Sequence, residues 1–290
     1  MMTPQAAGSG IDAMLRATAA AWSERSGQPV IVENRPGVNT IVNTDACRKT
    51  TPDGHTLCMI TSSGYLNPFL YSKLPFDLQK DLVPVTNLVI VPEMMAVHSS
   101  IPASTWQELL TWSKANPGKL NYSGFGPGST PQMVFEWMKK HAGLDVTHIP
   151  YKNVVEGMNG FLGGESHLVA VGVSNLFPHV RSGKARGLFT AMDRRHPLVP
   201  NVPTVTEAGA PDWKYRTWFG LAAPAGTPRE LIERAAAEMG AIFSVPAFRD
   251  KILAVGYEPA TSNPESFARF LTDALANAAE VVKASGAKLD

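Results

Sequence analysis

Short apolar runs alternate with stretches of helical spacing along most of this chain. Ile11, Met14, Leu15, Thr18, Ala19 and Trp22 mark one face of a helix, and Gly27 stands where its C-terminal cap belongs. Gln28-Pro29 leads into Val30-Ile31-Val32, a β-branched run that predicts a buried parallel strand. Asn34-Arg35-Pro36-Gly37 reads as a turn, and a helix is expected over about 39–49. Thr51-Pro52-Asp53-Gly54 is a strong turn signal ahead of a strand over 56–60. Helix, strand, helix, strand implies a parallel sheet with right-handed crossovers.

The alternation resumes after two long runs, 82–91 and 93–98, which read as strands with Pro92 at a bend or edge between them. A helix over 105–115 stops at Asn116-Pro117-Gly118, and a strand over 120–123 follows. Thr130-Pro131 opens the next helix, with threonine as N-cap and proline at the first helical position. Strands over 146–149, 168–173 and 187–190 alternate with helices over 154–161 and 175–181. Residues 218–222 read as a strand returning to the first α/β unit. Thr227-Pro228-Arg229-Glu230 is a capping box opening a helix to about 243, and helices over 246–255 and 264–284 close the chain. The expectation is an α/β protein of two lobes, each a mainly parallel sheet flanked by helices. Lobe 1 is residues 1–101 plus 225–290, lobe 2 is 102–224, and the chain crosses near 99–104 and 222–227.

Three turns share one build. Ala7-Gly8-Ser9-Gly10-Ile11-Asp12, Thr61-Ser62-Ser63-Gly64 and Ser123-Gly124-Phe125-Gly126-Pro127-Gly128-Ser129-Thr130 consist mostly of small residues where a strand gives way to a helix. Unbonded N–H groups and the positive end of the helix dipole collect at such turns. Hydroxyls and glycine N–H groups can then hold an anion without a fixed cation. Each turn alone is also what a tight βα turn with a good N-cap looks like. Three of them, split over two units at the carboxyl ends of strands, point to a cleft that closes on a small carboxylate.

Composition narrows the alternatives. At 290 residues the chain fits two domains, and 44% apolar with 18% charged residues is ordinary for a globular protein. A net charge of +1 carries no nucleic-acid footprint. No apolar run approaches the ~20 residues that span a bilayer. The opening Met1-Met2-Thr3-Pro4-Gln5 lacks the basic start and apolar stretch of a secretory signal. That fits a cytoplasmic chain, or an exported one without its leader; the mere stub of strand ahead of Gly8 favours export. Cys47 and Cys58 read as buried thiols, with a disulfide as the alternative in an oxidising compartment.

Gly8-Ser9-Gly10-Ile11-Asp12-Ala13 matches G-x-G-x-x-A, and Glu33 lies about twenty residues on, the fingerprint of a dinucleotide fold. An NAD-binding oxidoreductase is therefore the alternative function, weakened by the stub of strand before Gly8 and by the lack of a hydride-transfer site downstream. There is no G-x-S-x-G elbow, no Walker motif and no metal-ligand spacing among the seven histidines or the cysteines. Lys152 reads as a solvated lysine rather than a Schiff-base former.

The order of motifs resembles the periplasmic substrate-binding proteins of tripartite tricarboxylate transporters, the Bug-type receptors. The likeness runs through residues 27–37, Thr51-Pro52-Asp53-Gly54-His55-Thr56-Leu57, Asn67-Pro68, 71–77 and 115–122. It continues in His148-Ile149-Pro150-Tyr151-Lys152, 178–184, Val202-Pro203-Thr204-Val205 and 218–228. The resemblance implies a two-lobed, periplasmic, monomeric binding protein without cofactor, metal or catalytic residues. It would capture a small organic acid and deliver it to membrane permease subunits. Its ligand would be held by Gly8, Ser9, Gly10, Thr61, Ser62, Ser63, Gly64, Ser123, Gly126, Gly128, Ser129 and Thr130. The family has Pro-Gly-Gly-Gly at the first turn and a glycine-rich stretch after Arg35-Pro36-Gly37. Here these read Ala7-Gly8-Ser9-Gly10 and Val38-Asn39-Thr40-Ile41-Val42-Asn43. Where the family commonly has an aspartate near the ligand, this chain has Val171. Loss of that acid suggests a ligand without an amino group, its body against Tyr65, Phe125, Val171 and Trp218. An aromatic acid is the first expectation and a C4–C6 dicarboxylate the second.

Overall fold

The stub ahead of Gly8 is a strand. Met2 pairs with both Glu33 and Cys58, placing it between two parallel neighbours. The computed structural model describes residues 1–125 and 128–289. In chain order its elements are β1 (Met2–Thr3), α1 (Gly10–Ser26), β2 (Glu33–Asn34), α2 (Ile41–Arg48), β3 (Cys58–Thr61), α3 (Asn67–Leu70), β4 (Leu82–Val91) and β5 (Glu93–His98). Next come α4 (Trp106–Ala115), β6 (Asn121–Gly124), α5 (Thr130–Ala142), β7 (Thr147–Pro150), α6 (Val154–Leu162), β8 (Leu168–Gly172), α7 (Val173–Arg181) and β9 (Ala185–Thr190). Last are β10 (Thr217–Pro224), α8 (Arg229–Ser244), α9 (Pro246–Ala254), β11 (Glu258–Pro259) and α10 (Pro264–Ser285).

The chain divides into two units. The first is residues 1–90 with 217–276, and the second is 91–216 with 277–290. The first carries a sheet of order β11-β4-β10-β3-β1-β2, the second a sheet of order β7-β6-β8-β5-β9. The crossings fall earlier than the sequence suggests. β5 pairs with β8 and β9, so the chain has joined the second sheet right after Pro92. β10 pairs with β3 from Phe219 to Ala222 and belongs to the first sheet. Both sheets are mixed rather than mainly parallel. β10 and β11 run against β3 and β4, and β5 runs against both its neighbours.

Three local expectations change. Val30-Ile31-Val32 is not the buried strand. Ile31 is 74% exposed, and β2 starts two residues later at the sheet edge. The N-cap of α5 is Ser129 rather than Thr130. The cap of α8 is Pro228, while the Thr227 hydroxyl bonds the Pro224 carbonyl. At the start of α10 the Asn263 side chain accepts the Ser266 N–H at 2.8 Å.

The first sheet is packed on both faces. On one, Ile11, Met14 and Leu15 of α1 meet Ile232, Met239 and Phe243 of α8 and Ile252 of α9. On the other, Cys47, Ile60, Trp218, Phe267 and Leu271 form a second core. In the second unit Met94, Val169 and Val171 pack with Phe161, Leu176 and Val202. Each such side chain contributes roughly 1.5–3 kcal/mol on burial. Cys47 and Cys58 form a disulfide tying α2 to β3 inside the first unit. The buried-thiol expectation is replaced by its alternative.

Candidate functional site

β3, β1 and β2 lie side by side and parallel, so their carboxyl ends share one edge of the first sheet. Loops leaving that edge are where an open α/β sheet binds ligands. The loop after β1 enters α1, the loop after β3 enters a 3₁₀ turn at Ser63–Leu66, and the loop after β2 enters another at Val38–Thr40. Sequence reasoning found the first two and missed the third.

At the first turn Ser9 is the N-cap, its hydroxyl accepting the Asp12 N–H at 3.2 Å. Asp12 in return accepts the Gly8 N–H at 2.9 Å, and the Ser9 N–H goes to the Ala6 carbonyl at 3.2 Å. That reciprocal pairing is the logic of a capping box. It leaves the Gly10 and Ile11 N–H groups without a partner among the described residues, at the positive end of a seventeen-residue helix. Asp12 is 2% exposed and also accepts from Asn34 Nδ2 at 2.7 Å and Arg16 Nε at 3.0 Å. Burial opposes its charge. Hydrogen bonds from Arg16, Asn34 and the Gly8 N–H outweigh that and hold the carboxyl below the usual aspartate range. Tyr257 was not foreseen, being near Gly10 only in space. Its hydroxyl lies 2.8 Å from where a Cβ on Gly10 would sit. Burial pushes its pKa up, so the group stays a neutral donor.

At the second turn Thr61 Oγ1 accepts the Gly64 N–H at 3.2 Å and lies 3.0 Å from Ser63 Oγ. Ser62 faces the other way. Its N–H donates to the Trp218 carbonyl at 3.2 Å, fixing the start of β10. Thr61, Ser62, Gly64 and Tyr65 are buried, and Ser63 is half-buried. The third connection, Val38-Asn39-Thr40, is held to this turn by side chains. Asn39 Nδ2 donates to Asn67 Oδ1 at 2.5 Å, and Asn67 Nδ2 returns a bond to the Asn39 carbonyl at 2.8 Å. Thr40 Oγ1 is 2.7 Å from where a Gly64 Cβ would lie, so only glycine fits there.

The cations beside this edge are engaged. Arg16 pairs with Asp12 and donates to Asn34, and Arg35 pairs with Glu33 at 2.7 Å. Two of these contacts weigh against the dinucleotide alternative. Glu33 is bound to Arg35, and Asp12 puts a carboxylate on the Gly8 N–H that a pyrophosphate would need.

In the second unit, Ser129 accepts the Phe125 N–H at 3.3 Å and the Gly128 N–H goes to Gln132 Oε1 at 2.9 Å. Ser123 is fully buried, bonded to the Gly157 carbonyl at 3.0 Å and to Ser166. Ser129 and Thr130 are half-buried. Gly126 lies outside the described residues. Val171 belongs to the second unit's core and Phe125 packs against it. Trp218, 1% exposed, belongs to the first unit's core with Tyr65 edge-on at 5.2 Å. Neither Trp218 nor Val171 offers open apolar surface. Among the described residues no group of three His, Cys, Asp or Glu side chains could hold a metal, and no helix is long and apolar enough to cross a membrane.

Comparison with known proteins identifies the family and the fold. The chain is 30% identical to BugT of Bordetella pertussis, across all of this chain and 89% of that protein. A Cupriavidus necator protein of the UPF0065 group is 32% identical over 97% of this chain and 85% of its own length. Among solved structures, an R. palustris protein with adipate superposes with a TM-score of 0.85 at 27% identity, covering 99% of this chain and 97% of that one. A periplasmic transporter superposes at 0.83 with 30% identity, covering 100% and 97%. The family described as "Tripartite tricarboxylate transporter family receptor" matches residues 14–287, nearly the whole chain, and this protein therefore belongs to it.

Proposed function

We propose that this chain is a periplasmic binding protein that captures a small organic carboxylate and delivers it to the membrane subunits of a tripartite tricarboxylate transporter. The observation that carries the reading lies at the edge shared by β1 and β3. There the Gly10 and Ile11 N–H groups and the Thr61–Ser63 hydroxyl pair stand where the neighbouring arginines are already committed to carboxylates. Such a site favours an anion over a cation.

The donors proposed for the ligand are the Gly10 and Ile11 N–H groups and the hydroxyls of Ser9, Thr61 and Ser63. In the second unit the hydroxyls of Ser129 and Thr130, at the start of α5, are proposed as donors as well. Gly8 and Gly128 support the turns, since their N–H groups are bonded to Asp12 and Gln132. A charge-assisted hydrogen bond contributes roughly 1.5–3 kcal/mol net. Two or three of them, with apolar contact, reach the about 8 kcal/mol of a micromolar complex. The ligand is an aromatic acid or a C4–C6 dicarboxylate. The adipate held by the R. palustris relative supports the second class. The buried disulfide supports an oxidising compartment.

A thermal-shift screen with benzoate, terephthalate, succinate, adipate, glutamate and NAD, followed by calorimetry on the hits, tests the reading. A rise with at least one acid that lacks an amino group is expected, with no response to NAD. Ser129→Ala and Thr130→Ala should each weaken that acid by about tenfold in a folded protein, Ser129→Ala with the small loss of melting temperature that removing an N-cap brings. Tight glutamate binding with none of the other acids bound would overturn the ligand class, and a response to NAD alone would overturn the function.

A further inference from the structure

The connection after β2 has an unusual backbone. Val38, Asn39 and Thr40 have φ of 42°, 46° and 74°, three successive non-glycine residues in the left-handed region. For a β-branched residue such as Val38 this is a true outlier. Residues of this kind persist only where the surroundings over-determine them, and they gather at ligand clamps. The surroundings are visible here. Asn39 is locked to Asn67 by two side-chain hydrogen bonds and its amide nitrogen lies 3.5 Å from the Ser63 carbonyl. Thr40 is seated against Gly64. The Val38–Thr40 arch and the second turn are therefore tied to each other by side chains.

These contacts explain why Asn39 and Thr40 hold the conformation, but not why residue 38 is a valine. Val38 is 60% exposed, so the strain wins only partial burial inside the protein. Glycine would adopt φ 42° without penalty. A branched apolar side chain held in a costly conformation at the ligand edge of the sheet gains its return from contact with something else.

We propose that Val38 is a specificity-determining residue, its two methyl groups packing on the apolar body of the acid whose carboxylate the neighbouring turns hold. This rests on the carboxylate-binding reading above and deepens it, since it makes the part of the ligand beyond the acid group apolar at that wall. The strained arch presents those methyls in a fixed direction, so little order is lost on binding.

Two variants separate contact from strain. Val38→Gly removes both the methyls and the strain, and Val38→Ala removes the methyls while keeping a Cβ in the left-handed region. Melting is measured without added acid, and affinity by calorimetry with benzoate, terephthalate and adipate. Val38→Gly should melt a few degrees higher than the wild type, and Val38→Ala should gain less. Both should lose roughly five- to twentyfold in affinity for whichever of these acids the wild type binds. Unchanged affinity in both variants overturns the inference, and so does a loss confined to Val38→Gly, which would assign the effect to backbone freedom. A wild type that binds none of the acids of the thermal-shift screen overturns the carboxylate reading itself, and Val38 loses its role with it.

Discussion

Removing the Cys47–Cys58 crosslink should lower the melting temperature of the first unit by roughly 6–12 °C. The two sulfurs join residues 11 apart in sequence, across the loop between α2 and β3. In the chain-entropy account, closing a loop of that length in the unfolded state contributes about 3 kcal/mol at 25 °C. For a unit of this size, each kcal/mol moves Tm by roughly 2–4 °C. Both cysteines are wholly buried beside Met2, Ile60 and Trp218, so reductant will not reach them in the native state. The protein is therefore unfolded in urea with a phosphine reductant, refolded, and compared by calorimetry with its oxidised form, thiols being counted in both. Reduced wild type is the clean comparison, because Cys→Ala variants also remove packed sulfur atoms. Melting of the reduced form within 2 °C of the oxidised one would show that the entropic argument does not hold for this loop.

Two further outcomes follow from groups already described. Asp12→Asn should cost roughly 1.5–3 kcal/mol at neutral pH, because Asn34, Arg16 and the Gly8 N–H keep only one of the two acceptor oxygens and lose its charge, while an NH2 group faces them in place of the other. Since the folded pKa of Asp12 is depressed, its contribution is present above the ordinary aspartate value near 4 and disappears as pH falls through the lower folded value. The gap between wild type and variant in urea unfolding should thus shrink between pH 7 and pH 3; an equal gap at both would refute the assignment. Gly220→Ala places a Cβ 2.9 Å from the Thr86 carbonyl and on the Phe267 ring, so a loss of roughly 1–3 kcal/mol is expected. Trimming Phe267 to leucine in the same chain should recover only part of it, because the carbonyl is fixed.

Much of the secondary structure was legible because its signals are local. Gly27 as a left-handed C-cap and the Pro92 break each depend on residues within a turn of one another. The Val30-Ile31-Val32 run misled because β-branched composition suits a strand without saying which residues find a neighbour; pairing begins only at Glu33. The site divided in the same way. Ser9 and Asp12 could be read as a cap from spacing alone, but their reciprocal bond takes the Gly8 N–H out of service. Ser123 looked like a donor at the mouth of a turn and is a fully buried link to Gly157 and Ser166.

By itself, the order of residues determined the alternation of strands and helices and the places where small hydroxylic turns open helices. Those properties come from propensities and caps that act over a few residues. Tertiary structure decided which of those donors stay free, the pairing of the two cysteines, and the contacts of Tyr257 with Gly10 and of Asn39 with Asn67. Such contacts join residues far apart in the chain. They exist only when a whole sheet and its covering helices fix where each loop ends, and no local pattern carries that information.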